Sequence, residues 1–310
     1  MDSAFFNHLA VAFSITAPIL VVLALGALFR QKKWVDGHFV EVGNRLLFYV
    51  CMPSLLFLAT AANPVSTQED LPLAIFGVAA TFVVVLLLWL IAPMIVGREL
   101  RGVFVQSAFR SNMGMIGIAL CLNAYGEGVL ARASVFVAAM IVSYNVLSIM
   151  VLTRNRNQVL KNLLRNPLLI GILAGIAWQR FGPPLPAIME TSIAYLARMA
   201  LPLALICIGA SLEWRKLRPD HPPVIWASAF KMVILPAGIT AAAVMYGFRG
   251  EDLGILFLMI SAPTAMVAFV MAKEFATSGE MTAEVIALTT IVMPVTVTAG
   301  LTLLGTLGYT

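Results

Sequence analysis

The chain repeats its own pattern after about 150 residues. Pro18 to Gly26 (PILVVLALG) matches Pro167 to Gly175 (PLLIGILAG), and Gly114 to Ala119 (GMIGIA) matches Ala265 to Val270 (AMVAFV). A near-constant offset across two halves indicates two copies of one structural unit. In a very apolar chain, such a duplication is typical of secondary transporters.

The composition places the chain in the membrane. Hydrophobic residues make up 61% of the sequence and charged residues 11%, whereas soluble domains have roughly half and a quarter. About 20 helical residues cross the roughly 30 Å of hydrocarbon. We therefore predict an all-α polytopic membrane protein without a soluble domain. The ten predicted transmembrane helices cover about 10–29, 40–61, 72–96, 101–124, 128–152, 167–181, 189–212, 223–247, 252–275 and 282–306.

Basic residues predict the orientation. The connections after odd-numbered helices contain most of the Lys and Arg, whereas the others contain Arg132, Arg180 and Arg249. By the positive-inside rule, the first group faces the cytoplasm and both termini lie on the other side. The basic pI therefore reflects topology and gives no reason to expect a nucleic-acid partner. The cytoplasmic group is Arg30, Lys32, Lys33, Arg45, Arg98, Arg101, Arg154, Arg156, Lys161, Arg165, Arg215, Lys216, Arg218 and Lys273.

Five helices in each copy make the repeats inverted. We predict one repeat at residues 1–152 and the other at residues 167–310. Because five is odd, the second copy enters the membrane from the opposite side. Inverted repeats place a binding site near the bilayer midplane, usually at helices that are interrupted there.

The fourth and ninth helices contain matched interruptions. Arg110 to Gly117 (RSNMGMIG) brings three polar residues and two glycines to mid-membrane, and Ser261 to Ala268 (SAPTAMVA) brings Pro263. Proline removes a backbone donor and clashes with the preceding turn, and free backbone at this depth must face protein or water. Glycines that serve close packing, with a proline that makes a simple kink, are the structural alternative. The candidate substrate-binding residues are Arg110, Ser111, Asn112, Gly114, Asn145, Pro263 and Thr264.

Arg110 indicates the charge of the ligand. A charged side chain at the bilayer centre costs roughly 3 kcal/mol or more, so it is a functional candidate by default. Helix N-termini at the same break would add partial positive charge. Together these groups favour an anion. The alternative is that Arg110 only makes a structural hydrogen bond to a backbone carbonyl.

The other intramembrane polar groups allow two readings each. Arg198 and Lys231 lie about eight residues into their helices, and we expect their side chains to snorkel to the headgroups. Asn145, beside Tyr144, could bond a ligand or a neighbouring helix.

Several functions lack the residues they need. Every Asp and Glu lies in a connection or near a helix end, so proton transport on a buried carboxylate is not expected. The three cysteines, Cys51, Cys121 and Cys207, are isolated in apolar helices, as buried structural residues are. No nucleophile with a base, phosphate-binding loop or metal-ligand spacing is present. We predict no enzyme activity, no cofactor and no metal.

The order of several short segments resembles the auxin efflux carriers and their bacterial relatives that export malonate or other carboxylates. The similarity covers nearly the whole chain. Its most specific part is Ala272 to Phe275 (AKEF) followed by Met293 to Thr296 (MPVT). The other segments are Asn44 to Leu46, Met52-Pro53, Ala61 to Asn63, Asn112, Gly117 to Ala119, Ala124 to Gly126, Asn166-Pro167 and Gly247 to Gly250.

The resemblance implies an elevator-type fold like that of bile acid symporters and sodium-proton antiporters. Helices 4 and 9 would cross at their breaks. Helices 1, 2, 6 and 7 would form a scaffold that often dimerises, and helices 3–5 and 8–10 would move. Asn112 and the backbone around Pro263 would contact a substrate carboxylate.

Two departures separate this chain from the plant carriers. Those carriers have proline at the first break, where this chain has Ser111 beside Arg110, and a long cytoplasmic loop where this chain has about 153–166. We therefore expect a bacterial inner-membrane exporter of small, doubly charged acids such as malonate rather than auxin. Gradient and membrane potential would drive it. The alternatives are a sodium-coupled organic anion symporter of the bile acid type and, third, a receptor or channel.

Overall fold

The computed structural model describes residues 2–62, 70–152, 165–211, 222–276 and 279–310. These ranges form helices without a β-strand. Several predicted cytoplasmic basic residues lie outside them: Arg154, Arg156, Lys161, Arg215, Lys216 and Arg218. Asn63, which closes one of the family-like segments, also lies outside the described residues.

The helices follow one another through short connections. In chain order they are α1 (Asp2–Gln31), α2 (Gly37–Leu46), α3 (Met52–Ala62), α4 (Asp70–Ile91), α5 (Arg101–Phe109), α6 (Ile118–Tyr125), α7 (Leu130–Leu152), α8 (Pro167–Phe181), α9 (Ala187–Arg198), α10 (Ala200–Ser211), α11 (Pro222–Ala229), α12 (Leu235–Tyr246), α13 (Gly250–Ser261), α14 (Met266–Phe275) and α15 (Glu280–Thr306).

Seven helical stretches of the described chain are long and apolar enough to cross a bilayer. They agree with the predicted polytopic membrane class. Two shorter apolar helices, Met113–Tyr125 and Pro167–Phe181, lie where the sequence predicts the second part of helix 4 and helix 6. The seven stretches are Phe6–Gln31, Gly37–Ala61, Leu71–Met94, Glu127–Leu152, Ala187–Ser211, Pro222–Tyr246 and Glu280–Thr306.

Both predicted helix breaks are present. The backbone leaves the helix at Arg110, where ψ is 96°, and the next helical turn begins at Met113. In the second half it becomes extended at Ala262, where ψ is 143°, and helix α14 begins at Met266. Pro263 favours this extended approach because proline disfavours helical geometry in the residue before it.

Helices of the first half pack mainly on helices of the second. Helix α3 lies along α8, and α1 lies along α10 and α15. The α3–α8 contact depends on Gly171, because a Cβ atom built there would lie 2.7 Å from the carbonyl oxygen of Pro53. Small residues let membrane helices approach closely and gain packing contacts. The two halves therefore share one core.

Three short π-helical turns occur in the described chain. They are Leu47–Cys51 between α2 and α3, Met113–Gly117 before α6, and Phe230–Ile234 between α11 and α12. Such turns leave backbone groups out of register with the ordinary helical bonds and are frequent at functional sites. The first two line the cavity described below, and the third holds Lys231.

Candidate functional site

The two broken segments meet and pair with each other. Ser111 and Thr264 form an isolated antiparallel bridge. The amide of Asn112 donates to the carbonyl of Pro263 at 2.7 Å, and the amide of Ala265 donates to the carbonyl of Arg110 at 3.0 Å. Backbone groups freed by one break are therefore satisfied by the other, as burial at membrane depth requires.

Two hydroxyl groups bond to the helix ends beside this bridge. Ser111 Oγ donates to the carbonyl of Ile260 at 3.0 Å, in the last turn of α13. Thr264 Oγ1 donates to the carbonyl of Ser107 at 2.8 Å, in the last turn of α5. The last four carbonyls of a helix have no partner within it. Each break thus caps the helix that leads into the other.

The Arg110 guanidinium is held by helix α7. Its Nη1 donates to the carbonyl of Tyr144 at 2.9 Å and to Ser148 Oγ at 2.7 Å. Its Nη2 donates to Asn145 Oδ1 at 3.0 Å. The side chain is only 6% exposed, and its charged carbon lies 5.9 Å from the centre of the Tyr144 ring. The bond to a carbonyl, expected as the structural alternative, is therefore present.

Within the described part of the chain, the hydrogen-bond partners of Arg110 are all neutral. Its three hydrogen-bond acceptors are a carbonyl, a hydroxyl and an amide oxygen. Among the buried side chains that the structure describes, Arg110 and Lys231 are cationic and none is an Asp or Glu. A buried charge without a counter-ion is costly. An anionic ligand would compensate it.

A cavity of about 100 Å³ adjoins the guanidinium. Five of the seven predicted site residues line this crossover cavity. Pro263 and Thr264 do not line it and instead pair with the first break. The helices that begin at Met113 and Met266 both start at its wall. First-turn amides have no partner within their helix, so both helix ends present donors and partial positive charge. Predicted residues in the lining are Arg110, Ser111, Asn112, Gly114 and Asn145.

Sequence reasoning missed part of the lining. Phe48, Asn166 and Leu168 face the same cavity from the π-helical turn of Leu47–Cys51 and from the start of α8. Ser148 was also missed, although it lies three residues after Asn145 and so on the same helix face. That spacing could have identified Ser148. Phe48, Asn166 and Leu168 lie far from the breaks in the chain, and no spacing in the sequence relates them to the cavity.

Lys231 corrects one prediction. Its side chain is 1% exposed, and its Nζ donates to the carbonyl of Ile260 at 2.6 Å. The expectation that Lys231 snorkels to the headgroups is therefore wrong. Helix α11 begins at Pro222, and the π-helical turn points the lysine at the end of α13 instead.

For Asn145, the bond to a neighbouring helix is present, and the side chain also reaches the cavity.

A second, larger space lies elsewhere between the helices. It measures about 930 Å³ and extends from Leu122 and Leu130 to Trp178, Glu190 and Arg198. We call it the vestibule. Arg198 is exposed there, so its snorkelling stays a prediction.

Across the ranges described, no three His, Cys, Asp or Glu side chains are grouped as a metal site would require.

Comparison with known proteins indicates membrane transport. A profile of the family described as membrane transport protein matches residues 153–299. An uncharacterized transporter of Methanocaldococcus jannaschii is 25% identical over 285 residues, covering 88% of this chain and 92% of the relative. A protein of Rhizobium meliloti named "Putative malonate transporter" is 24% identical over 297 residues, covering 91% and 92%.

Plant relatives share a shorter stretch. Auxin efflux carrier component 3a of Oryza sativa subsp. japonica is 30% identical over 121 residues, which cover 37% of this chain and 20% of the relative. The fold and these similarities define a multi-pass membrane transport protein. The profile covers slightly less than half of the chain, and the plant relatives named as auxin efflux carriers match 37% of it, so the chain is similar to this family of transporters. The names of its relatives indicate transport and not catalysis.

Proposed function

We propose that this protein exports small organic anions, with malonate-like dicarboxylates as the preferred class. The observation that carries the proposal is the buried Arg110 guanidinium, which lies at the crossover cavity with neutral protein partners only. Two helix N-termini face the same space, so three sources of positive potential converge on it. Guanidinium groups and free amides form strong, charge-assisted hydrogen bonds with carboxylates.

The size of the cavity supports a small acid. About 100 Å³ is well below the roughly 300–1,000 Å³ of pockets for drug-sized ligands. A short dicarboxylate is closer to this size than an indole ring with its side chain. The rhizobial relative named for malonate supports the same class. One carboxylate would meet Arg110 and Asn145, and the other would meet Asn112 and the first amides of α14.

We further propose the ten-helix inverted-repeat architecture, with repeats at residues 1–152 and 167–310. Helices α1–α3 and α8–α10 would form the scaffold, which would also make the homodimer contact. Helices α4–α7 and α11–α15 would move as the elevator. The α3–α8 and α1–α10 packing supports a rigid scaffold. The vestibule supports movement, because scaffold residue Trp178 and mobile residue Leu130 line it together.

Orientation and driving force follow from charge. With both termini outside the cytoplasm of a bacterial inner membrane, the vestibule would face outward, because Glu127 and Gly182 would lie on outer connections. Moving one negative charge out of the cell is favoured by about 2.3 kcal/mol per 100 mV. This is enough for a roughly fifty-fold gradient of a monoanion, so no coupled ion is needed.

The test is charge movement by purified protein in proteoliposomes on a solid-supported membrane. Malonate, other small carboxylates, indole-3-acetate and a bile acid are each applied with and without sodium. We expect saturable currents for small carboxylates that are indifferent to sodium. Currents that require sodium would instead identify the symporter of the bile acid type. Unsaturable, ohmic currents would identify a channel, and their presence would refute the carrier.

A further inference from the structure

Lys231 is a second buried cation whose role the anion site does not explain. It lies in the π-helical turn Phe230–Ile234, between α11 and α12, and is among the largest fully buried side chains. It does not line the crossover cavity. Its ammonium group donates to the carbonyl of Ile260, at 2.6 Å.

The acceptor belongs to the end of a broken helix. Ile260 is the penultimate residue of α13, and the carbonyls of a last helical turn lack partners within the helix. They also carry the negative end of the helix dipole. Half-helix ends of this kind are where transporters coordinate a coupling sodium ion or proton. Here a protein ammonium occupies that position.

Two buried hydroxyl groups lie close in the chain to this contact. The hydroxyls of Ser228 and Ser261 are buried without a hydrogen-bond partner in the structure. Ser228 precedes Lys231 by three residues, which places it on the same face of the helix, and Ser261 directly follows Ile260. An ammonium group has three donors. The contact that the structure shows is an ammonium on a helix-end carbonyl, the kind of oxygen that also coordinates a small monovalent cation.

The position is coupled to the anion site through one atom. The Ile260 carbonyl also accepts the hydrogen bond of Ser111 Oγ, at 3.0 Å. Ser111 lies between Arg110 and Asn112 in the first break. Lys231 therefore helps to fix the position of the carbonyl that also holds Ser111, in the segment that carries both anion-binding side chains.

We propose that Lys231 is a tethered cation that occupies, at the end of α13, the place a free coupling ion would take. This inference rests on the proposed anion transport. It makes Lys231 a positioning residue: the ammonium keeps the two breaks together, and the carrier therefore does not need a sodium ion. Because the cation is covalently attached, it moves with the mobile helices in both directions and is not transported.

Three variants separate charge from volume. Lys231→Ala removes the ammonium and leaves space, Lys231→Met keeps the volume without charge, and Lys231→Arg keeps a cation. Malonate currents are measured in proteoliposomes at constant ionic strength with choline, sodium or methylammonium as the cation. In Lys231→Ala we expect the half-saturating malonate concentration to rise about tenfold in choline. Sodium or methylammonium should restore most of the lost affinity for malonate.

The other variants should behave differently. Lys231→Met should lose affinity by a similar factor and gain nothing from sodium, since its side chain fills the space. Lys231→Arg should remain sodium-indifferent, like the unmodified protein. The inference is overturned if Lys231→Ala binds malonate normally in choline, if its loss is not restored by either small cation, or if the unmodified protein itself needs sodium.

A second readout does not depend on transport. The melting temperature of each detergent-solubilised variant is measured in choline and in sodium without substrate. Only Lys231→Ala should be stabilised by sodium, because a ligand that binds the folded state raises its stability. Absence of that shift overturns the tethered cation even where malonate currents are normal. Absence of currents from the unmodified protein would instead refute the proposed function.

Discussion

At the scale of single residues, the fork shape of Arg110 matters as much as its charge. The guanidinium bonds Tyr144, Asn145 and Ser148 on one side and borders the cavity on the other. A planar group with five donors can do both at once, whereas a lysine ammonium presents a single point of charge. The bonds to α7 therefore orient the charge toward the ligand.

The loss of malonate affinity on substitution of Arg110 should depend on whether the charge, or the charge and the fork shape, is removed. We expect Arg110→Lys to raise the half-saturating malonate concentration about tenfold, because charge is kept and the fork is lost. Arg110→Ala should raise it at least about a hundredfold, since charge-assisted hydrogen bonds contribute roughly 1.5–3 kcal/mol each. Binding of uncharged malonamide should change much less. The measurement is substrate-induced current or ligand-induced thermal shift.

A matched pair of serines on α7 tests the orienting role. Ser148 accepts a bond from Arg110, whereas Ser143, also buried, donates to its own helix at the Ala139 carbonyl. We expect Ser148→Ala to weaken malonate binding about fivefold, on the scale of one hydrogen bond. Ser143→Ala should leave binding unchanged. Equal effects of the two substitutions would show that Ser148 does not orient the guanidinium.

At the scale of helices, close approach of α3 and α8 determines the shared core. A Cβ atom at Gly171 would lie 2.7 Å from the Pro53 carbonyl oxygen and 2.9 Å from its Cα. Both are backbone atoms, so a whole helix must shift to make room. At Gly238, in α12, a built Cβ meets nothing within 4 Å. The same substitution should therefore have opposite effects at the two positions.

We expect Gly171→Ala to lower the free energy of unfolding by about 1–3 kcal/mol, as overpacking does. Gly238→Ala should leave it unchanged or raise it by up to about 1 kcal/mol, because alanine favours the helix. Thermal unfolding of the detergent-solubilised protein measures both. A melting temperature of Gly171→Ala equal to that of Gly238→Ala would contradict the tight α3–α8 contact.

At the scale of the whole molecule, the proposed movement requires that scaffold and mobile helices separate. Gly114, at the start of the half-helix leading into α6, lies against Leu168 in α8, with 3.3 Å from a built Cβ to Leu168 Cδ1. Gly43 in α2 lies against Cys207 in α10, at 2.6 Å from a built Cβ to Sγ. The first contact joins the two proposed bodies, and the second lies within the scaffold.

Cross-links at these contacts should differ in effect. In a background without the native cysteines, a short bifunctional methanethiosulfonate reagent that joins Gly114→Cys to Leu168→Cys through disulfides should abolish malonate flux, and reduction should restore it. Gly43→Cys, linked in the same way to Cys207 in a background that keeps only this native cysteine, should leave flux intact. Malonate flux through each linked protein is measured in proteoliposomes before and after reduction. Normal flux through the first linked pair would refute the elevator movement.

Local sequence determined the membrane class, the helix breaks and much of the candidate site. The length of an apolar stretch shows directly whether a helix can cross the membrane. Pro263 and the polar residues around Arg110 interrupt the helices in which they themselves lie. Only the tertiary structure decided what those breaks contact. The Ser111–Thr264 bridge, the bonds from Arg110 to α7 and the turn of Lys231 toward Ile260 join residues far apart in the chain. Their partners depend on how the helices pack, which no local pattern specifies.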